Sequence, residues 1–130
     1  MSQLTILVVD DNPDSITILQ SILETRGYRV VVAESGWTAL QKIREEPRPD
    51  LVLLDVMMPE MNGLEVLQNI KETHATARLP VILVTAKTHD EDVLSGYQYG
   101  ADYYITKPFT AKQLLYGIDL VLGKGGAPRE

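Results

Sequence analysis

Acidic residues directly follow two apolar runs of this chain. The run ILVV leads into Asp10 and Asp11, and the run LVLL leads into Asp55. An ionised carboxylate in apolar surroundings costs several kcal/mol unless a cation shares its pocket. The run VILV leads into Thr85, and the segment YYITKPF carries Lys107. A hydroxyl and an ammonium group therefore also follow apolar runs, as the acids do.

The apolar runs predict the fold that positions these residues. They alternate with longer segments of helical period, which is typical of βαβ units that build a parallel sheet. They are nearly continuous rather than alternating, as expected of strands covered on both faces. We predict an α/β protein with a doubly wound sheet of five parallel strands, at Leu4–Val9, Tyr28–Ala33, Leu51–Leu54, Val81–Val84 and Tyr103–Ile105.

Helices are predicted between the strands and after the last one, from apolar residues three and four positions apart. Asn12 followed by Pro13 fits a helix start, and Gly27 fits the end of that helix. The fourth helix, at about 90–99, is predicted to be the weakest because Gly96 interrupts it, which makes it a candidate mobile element. Two pairs match the capping-box spacing and mark further helix starts: Thr88 with Glu91, and Thr110 with Gln113.

The predicted sheet brings the acids together. Ligands of open parallel sheets bind outside the carboxyl ends of the strands. If the first and third strands are neighbours, Asp10, Asp11 and Asp55 crowd one edge, where like charges raise one another's pKa unless a cation joins them. Mg²⁺ prefers oxygen ligands of this kind. We therefore predict a divalent metal site there, with Lys107 and Thr85 arriving at the same edge.

Each of these residues has an ordinary structural interpretation when it is taken alone. An acid after a strand is commonly a helix N-cap, a lone lysine lies on the surface, and a lone threonine lies in a turn. What favours a functional site is that all of them follow predicted strands of one sheet. Trp37 is interpreted as a partial core residue or an exposed ring at the start of the second helix. His74 and His89 are interpreted as surface residues, because two histidines without cysteine make no zinc site.

Composition narrows the class of protein. The 130 residues, 45% apolar and 23% charged, fit one domain at 1–122, with 123–130 as a flexible tail or linker stub. Cysteine is absent, which excludes disulfides, thiolate zinc sites and cysteine nucleophiles. No apolar stretch approaches the roughly 18 residues of a membrane span, and no basic signal region begins the chain, so we expect a cytoplasmic protein. A net charge of −6 argues against nucleic acid as a direct partner.

Four motifs carry a resemblance to a known family. They are VVDD at 8–11, LLDVMMPEMNG at 53–63, VTA at 84–86 and KPF at 107–109. Together they make the chain similar to a response-regulator receiver domain of two-component signalling, of the chemotaxis-receiver kind, over Leu4–Leu122. The resemblance implies the flavodoxin-like strand order 2-1-3-4-5, with five helices covering both faces of the sheet.

The resemblance also implies a role for each site residue. Asp55 would accept a phosphoryl group from a histidine kinase or phosphotransfer protein. Mg²⁺, or Mn²⁺ in its place, would be held by Asp11, Asp55 and the backbone carbonyl of Met57, with Asp10 acting largely through water. Lys107 would pair with one phosphoryl oxygen, and Thr85 would donate a hydrogen bond to another.

A conformational switch is implied as well. Thr85 would move toward the phosphoryl group and Tyr104 would rotate inward behind it, and the Lys107–Pro108 peptide bond is expected to be cis. The change would alter the face made by the fourth helix, fifth strand and fifth helix, where a downstream protein binds. The protein would be a monomer or a phosphorylation-dependent dimer, with no direct nucleic-acid or membrane partner and no substrate turnover of its own. No output segment follows Leu122, so output is expected through protein contact.

One alternative stays open beside this interpretation, and the residues argue against two others. A receiver-fold interaction module could work without phosphorylation. A metal-dependent phosphatase with an aspartyl phosphate needs a second acid two positions after Asp10, where this chain has Asn12. A flavin-binding module needs a Ser/Thr/Gly-rich loop after the first strand, whereas DDNPD would repel phosphate. Met57 is apolar and cannot position an attacking water, which predicts slow self-hydrolysis of the phosphoryl group.

Overall fold

A computed structural model describes residues 3–86 and 96–123 of the chain. Five strands form one parallel sheet in the order β2-β1-β3-β4-β5, which confirms both the predicted class and the predicted order. Each strand lies within one residue of its predicted bounds. They are β1 (Thr5–Val9), β2 (Arg29–Ala33), β3 (Leu51–Leu54), β4 (Val81–Thr85) and β5 (Tyr103–Thr106).

Helices cover both faces of the sheet. Residues 96–98 are also helical and end the predicted fourth helix, whereas 87–95, with the predicted Thr88–Glu91 capping box, lie outside the described residues. Within the described ranges, no helix is long and apolar enough to cross a membrane. The bounds are α1 (Pro13–Thr25), α2 (Gly36–Lys42), α3 (Gly63–Glu72), a short 3₁₀ helix (His74–Thr76) and the C-terminal helix (Ala111–Leu122).

Side-chain caps fix where the helices begin. Asn12 Oδ1 accepts hydrogen bonds from the backbone N–H groups of Asp14 and Ser15 at 2.8 and 3.3 Å, which confirms the predicted start of α1. The predicted capping box of Thr110 and Gln113 begins the C-terminal helix. Two further caps had not been predicted: Ser35 begins α2, and a capping box of Asn62 with Glu65 begins α3.

Two apolar clusters lie on opposite faces of the sheet. One packs the sheet against α2 and α3, and the other packs it against α1 and the C-terminal helix. Tyr104 belongs to the first cluster and Tyr103 to the second, because alternation along β5 sends the two rings to opposite faces. The central strands β1, β3 and β4 are buried throughout, while the edge strand β2 is only partly covered because it has a neighbour on one side.

The Lys71 side chain connects the end of α3 to the segments that precede β4 and β5. Lys71 Nζ, at the end of α3, donates to the carbonyl oxygen of Leu79 at 2.7 Å and to Asp102 Oδ2 at 3.3 Å. The same Asp102 oxygen accepts from the N–H of Val81 at 2.8 Å. A Cβ at Gly100, where φ is +101°, would lie 3.0 Å from Lys71 Cγ, so this glycine makes room for the lysine stem.

Replacing this lysine should destabilise the fold without touching the carboxyl edge of the sheet. We expect Lys71→Met to lower the free energy of unfolding by about 2 kcal/mol, because the Leu79 carbonyl and the Asp102 carboxylate lose a charged donor. Urea denaturation measures the change, and Lys112→Met on the exposed side of the C-terminal helix is the matched control, with a change below about 0.5 kcal/mol. Equal stability of the two variants would contradict this interpretation.

Candidate functional site

The predicted site residues meet at the carboxyl edge of the sheet. Asp10, Asp55 and Lys107 directly follow β1, β3 and β5. Backbone hydrogen bonds extend the sheet to these positions: the N–H of Asp55 donates to the carbonyl of Val9, and that of Lys107 to the carbonyl of Thr85, both at 3.0 Å. The parallel register therefore delivers two carboxylates and one ammonium group to one place.

The Lys107 ammonium group joins the two buried carboxylates. Its Nζ donates to Asp10 Oδ2 at 2.7 Å and to Asp55 Oδ2 at 3.1 Å. The side chains of Asp10 and Asp55 are 2% and 8% exposed, and that of Lys107 is 21% exposed. A cation at hydrogen-bonding distance is the compensation that buried carboxylates need, so the structure explains why these two strands end on acids.

The remaining oxygens of both carboxylates are held by backbone amides. Asp10 Oδ1 accepts from the N–H of Asn12 and Asp55 Oδ1 accepts from that of Met57, each at 2.9 Å. Because each carboxylate is fixed through both of its oxygens, its plane is set before any ligand arrives. The arrangement is therefore preorganised.

Burial and neighbouring charges shift the pKa values of Asp10 and Lys107. Burial raises the pKa of Asp10, although its hydrogen bonds from Lys107 and the Asn12 N–H oppose the rise. Burial alone would lower the pKa of Lys107, but the hydrogen bond to Asp10 and the charge and hydrogen bond of Asp55 outweigh it, so this pKa is raised. Lys107 is therefore a cation at neutral pH.

The acids also form a set of ligands suited to a hard cation. Asp10, Asp11 and Asp55 each offer a carboxylate oxygen, and these oxygens lie within 4.8 Å of one another. Asp11 is exposed at the mouth of the site, while the other two acids are buried. One ammonium group leaves an excess of negative charge in the cluster, and oxygen-only donors in such a cluster suit Mg²⁺. The residues present therefore fit the predicted metal.

A glycine gives the loop after Asp55 its close packing. A Cβ at Gly63 would lie 2.1 Å from the carbonyl oxygen of Asp55 and 2.7 Å from Cα of Val56. The N–H of Gly63 also donates to the carbonyl of Val56 at 2.9 Å. Only hydrogen fits at this position, so the start of α3 rests directly on the segment that carries Asp55. In the sequence analysis Gly63 appears only as the last residue of the motif at 53–63, with no role assigned to it.

The other predicted residues lie around this centre. Thr85 is fully buried at the end of β4 and contacts Lys107 through its backbone carbonyl. Tyr104 is paired in register with Leu83, so it lies two positions before the level of Thr85. The Lys107–Pro108 peptide bond is cis, as is Glu46–Pro47.

Three methionines lie in the loop that follows Asp55. The Met57 side chain is 54% exposed at the rim, and its backbone amide holds Asp55. Met58 is buried and Met61 is half-buried, so the three methionines of the loop have different environments.

Trp37 is 63% exposed near the start of α2, as the sequence interpretation allowed. His74 is exposed, and His89 lies outside the described residues.

A serine near the ammonium group was missed by sequence reasoning. Ser15 Oγ accepts a hydrogen bond from Lys107 Nζ at 3.3 Å. A serine in the first turn of a helix gives no sequence signal of such a contact, because its partner lies 92 positions away in the chain. The contact becomes visible only when α1 and the end of β5 are placed side by side.

Comparison with known proteins identifies the family. The sequence matches the family model of the response regulator receiver domain over residues 6–119. The match includes every residue that we have placed at the site. The chain therefore belongs to the response regulator receiver domain family.

Individual relatives agree with this assignment. The chain is 39% identical to the alkaline phosphatase synthesis transcriptional regulatory protein PhoP of Bacillus subtilis over 117 residues, which are 90% of this chain and 48% of that protein. It is 38% identical to protein PilH of Pseudomonas aeruginosa, covering 90% of this chain and 96% of PilH. The chain thus spans about half the length or less of several relatives, including PhoP, and nearly all of PilH.

Solved structures show the same fold. The chemotaxis protein CheY4 of Vibrio cholerae superposes with a TM-score of 0.86 at 29% identity, covering 92% of this chain and 99% of that one. The phosphorylated cyanobacterial phytochrome response regulator RcpA superposes with a TM-score of 0.84 at 30% identity, covering 98% and 100%. The predicted receiver fold is thereby confirmed.

Adding a methyl group at Gly63 should disturb the segment that carries Asp55. We expect Gly63→Ala to lower the free energy of unfolding by about 2 kcal/mol or more, because the new Cβ collides with backbone atoms. Gly27→Ala is the matched control: nothing lies within 4 Å of its Cβ, so only its positive φ of +82° opposes the change, at about 1 kcal/mol. Urea denaturation compares the two, and a smaller loss at Gly63 than at Gly27 would contradict the packing argument.

Proposed function

We propose that this protein is a phosphoacceptor receiver of a two-component system, which takes a phosphoryl group from a histidine kinase or phosphotransfer protein onto Asp55. One observation supports this most strongly. The Asp55 carboxylate accepts a hydrogen bond from the Lys107 ammonium group and lies beside the acids Asp10 and Asp11, and amide and ammonium donors fix both of its oxygens. Such a carboxylate is oriented for nucleophilic attack and is surrounded by groups that bind phosphate and metal.

The proposed reaction is a phosphoryl transfer between a nitrogen and an oxygen. An Asp55 oxygen forms a bond to the phosphorus of a phosphohistidine while the P–N bond breaks, and its electron pair returns to the imidazole nitrogen. The N–H of Met57 and Lys107 orient the nucleophile. As Asp55 becomes an acyl phosphate, the hydrogen bond of Lys107 shifts from the Asp55 carboxylate to a phosphoryl oxygen. The Thr85 hydroxyl donates to another phosphoryl oxygen.

The metal would be held by the acidic cluster. Asp11, Asp55 and the Met57 carbonyl are the proposed direct ligands of Mg²⁺ or Mn²⁺, with Asp10 acting largely through water. When bound, the ion supplies charge neutralisation for the transferring phosphoryl group. Asp10 has a second function in this scheme, because its short hydrogen bond to Lys107 keeps the ammonium group beside Asp55.

Signal output is proposed to use Thr85 and Tyr104 as the switch. Tyr104 lies on β5 close to Gly96: a Cβ at Gly96 would be 3.6 Å from the ring atom Cδ2 of Tyr104. A cavity of about 190 Å³ lies along the edge strand β5, lined by Tyr103, Tyr104, Ile105, Thr106, Pro108 and Gln113. Reorientation of Tyr104 would reshape this surface of β5 and the C-terminal helix and change its affinity for a protein partner. The part contributed by residues 87–95 lies outside the described residues.

We also propose the bounds of the domain, the location of the protein and the route of its output. The receiver domain would comprise 1–122, and the predicted tail beyond Gly123 lies outside the described residues. The protein would act in the cytoplasm as a signalling phosphoacceptor without substrate turnover of its own. Output would pass through contact with a downstream protein rather than nucleic acid, from a monomer or a phosphorylation-dependent dimer. The similarity to RcpA, which was solved in its phosphorylated form, supports the proposal of a phosphoacceptor.

Intact mass spectrometry tests the acceptor directly. After incubation with acetyl phosphate and Mg²⁺, we expect the protein to gain the mass of one phosphoryl group, and we expect Asp55→Asn to gain none. Omission of Mg²⁺ should abolish or strongly slow the gain, because the acidic cluster then lacks its counter-charge. Asp14→Asn, an exposed aspartate at the start of α1, is the matched control and should behave as wild type.

Two results would overturn the proposal. If the wild type gains no phosphoryl group with donor and Mg²⁺ present, the protein works as a receiver-fold interaction module without phosphorylation. If Asp55→Asn is still modified as fast as wild type, a different residue is the acceptor.

A further inference from the structure

The Lys107 ammonium group has three N–H donors, and the structure supplies three acceptors for them. Two are the carboxylates of Asp10 and Asp55. The third is the hydroxyl oxygen of Ser15, at 3.3 Å. The proposed function uses the first two and leaves the serine without a role.

The position of Ser15 is fixed by the same segment that fixes Asp10. The N–H of Asn12 donates to Asp10 Oδ1 at 2.9 Å, and the side chain of Asn12 accepts from the N–H of Ser15 at 3.3 Å. The carbonyl of Asn12 also accepts from the N–H of Ile16 at 3.1 Å. The first turn of α1 therefore connects the serine rigidly to the carboxylate that makes the shortest contact with Lys107.

A cavity beside the lysine shows what the serine prevents. It has a volume of about 190 Å³ and is lined by Ser15, Ile18, Lys107, Pro108 and Phe109. The side chains of Ile18, Pro108 and Phe109 offer an ammonium group no hydrogen bond. Without an acceptor on that wall, the flexible four-carbon stem of Lys107 has room to move away from Asp55. The Ser15 hydroxyl is the acceptor that this wall provides.

We propose that Ser15 is a positioning residue that holds the Lys107 ammonium group in place between Asp10 and Asp55 for phosphoryl transfer. The inference rests on the proposed function. With acetyl phosphate as donor, an Asp55 oxygen forms its bond to phosphorus while the P–O bond to acetate breaks and acetate leaves with the electron pair. Lys107 keeps its protons throughout and moves only the short distance to the phosphoryl oxygen. A lysine that is already held at this place accelerates phosphoryl transfer more than one that must first be brought there from other side-chain orientations.

The test compares Ser15→Ala with Ser15→Thr, which restores the hydroxyl. The readout is the rate of phosphoryl gain from acetyl phosphate at saturating Mg²⁺, followed by intact mass. We expect Ser15→Ala to be slower by about fivefold, the effect of losing one long hydrogen bond to a charged group, and Ser15→Thr to stay within about twofold of wild type. Thr17→Ala is the matched control, because the Thr17 hydroxyl donates to the Pro13 carbonyl of its own helix, at 3.0 Å, and this variant should react as wild type.

Two further measurements separate positioning from a structural role. Ser15→Ala should leave the thermal midpoint and the Mg²⁺ concentration for half-maximal rate unchanged, because Ser15 supports neither the core nor the metal ligands. In protein labelled with ¹⁵N-lysine, the Nζ protons of Lys107 should exchange with water several-fold faster in Ser15→Ala than in wild type and Ser15→Thr.

The outcomes are distinct. Equal rates for Ser15→Ala and wild type would overturn the inference, and so would a slow variant that Ser15→Thr does not rescue or that has lost stability or Mg²⁺ affinity. Absence of any phosphoryl gain in the wild type would instead refute the proposed function, and the exchange rate of the Lys107 Nζ protons would still show whether Ser15 holds the lysine.

Discussion

The contact of the Lys107 ammonium group with Asp10 and Asp55 is the interaction on which the site depends. Two carboxylates lie almost fully buried at the end of the central strands, which is unfavourable unless a cation is supplied. Lys107 supplies it at 2.7 and 3.1 Å, yet one positive charge does not balance three acids. The remaining negative charge is what makes the cluster suited to a divalent ion. In the proposed function, a phosphoryl group on Asp55 would lie beside both Lys107 and that ion.

The fold delivers this contact through the order of its strands. With β1 between β2 and β3, and β4 between β3 and β5, the residues that follow β1, β3 and β5 lie along one edge. Local features then refine the positions: backbone amides of Asn12 and Met57 orient the carboxylates, and Gly63 lets α3 begin directly against the Asp55 segment. The apolar clusters on both faces keep these elements in register, while Lys71 fastens the opposite ends of β4 and β5.

Much of this structure could be predicted from the sequence, because strands and helix caps are encoded by residues that lie close together in the chain. Short β-branched runs and helix caps give the elements, and the rule for parallel sheets brings Asp10, Asp55 and Lys107 to one edge. The contacts that were missed join elements that are distant in the chain. Ser15 is near Lys107 only because α1 packs beside the end of β5, and the clearance at Gly63 depends on how closely α3 approaches the strand loop. The roles of Thr85 and Tyr104 in a switch stay predictions.

Unfolding of Lys107→Met, with and without Mg²⁺, tests the central interaction most directly. Without metal, we expect this variant to lose about 3 kcal/mol of unfolding free energy, since two buried carboxylates lose their cation. The loss should be smaller when Asp10→Asn is present in both proteins, because one of the uncompensated charges is then absent. Mg²⁺ should restore part of the stability of Lys107→Met. A variant as stable as wild type in metal-free urea denaturation would contradict the claim that Lys107 makes the buried acids tolerable.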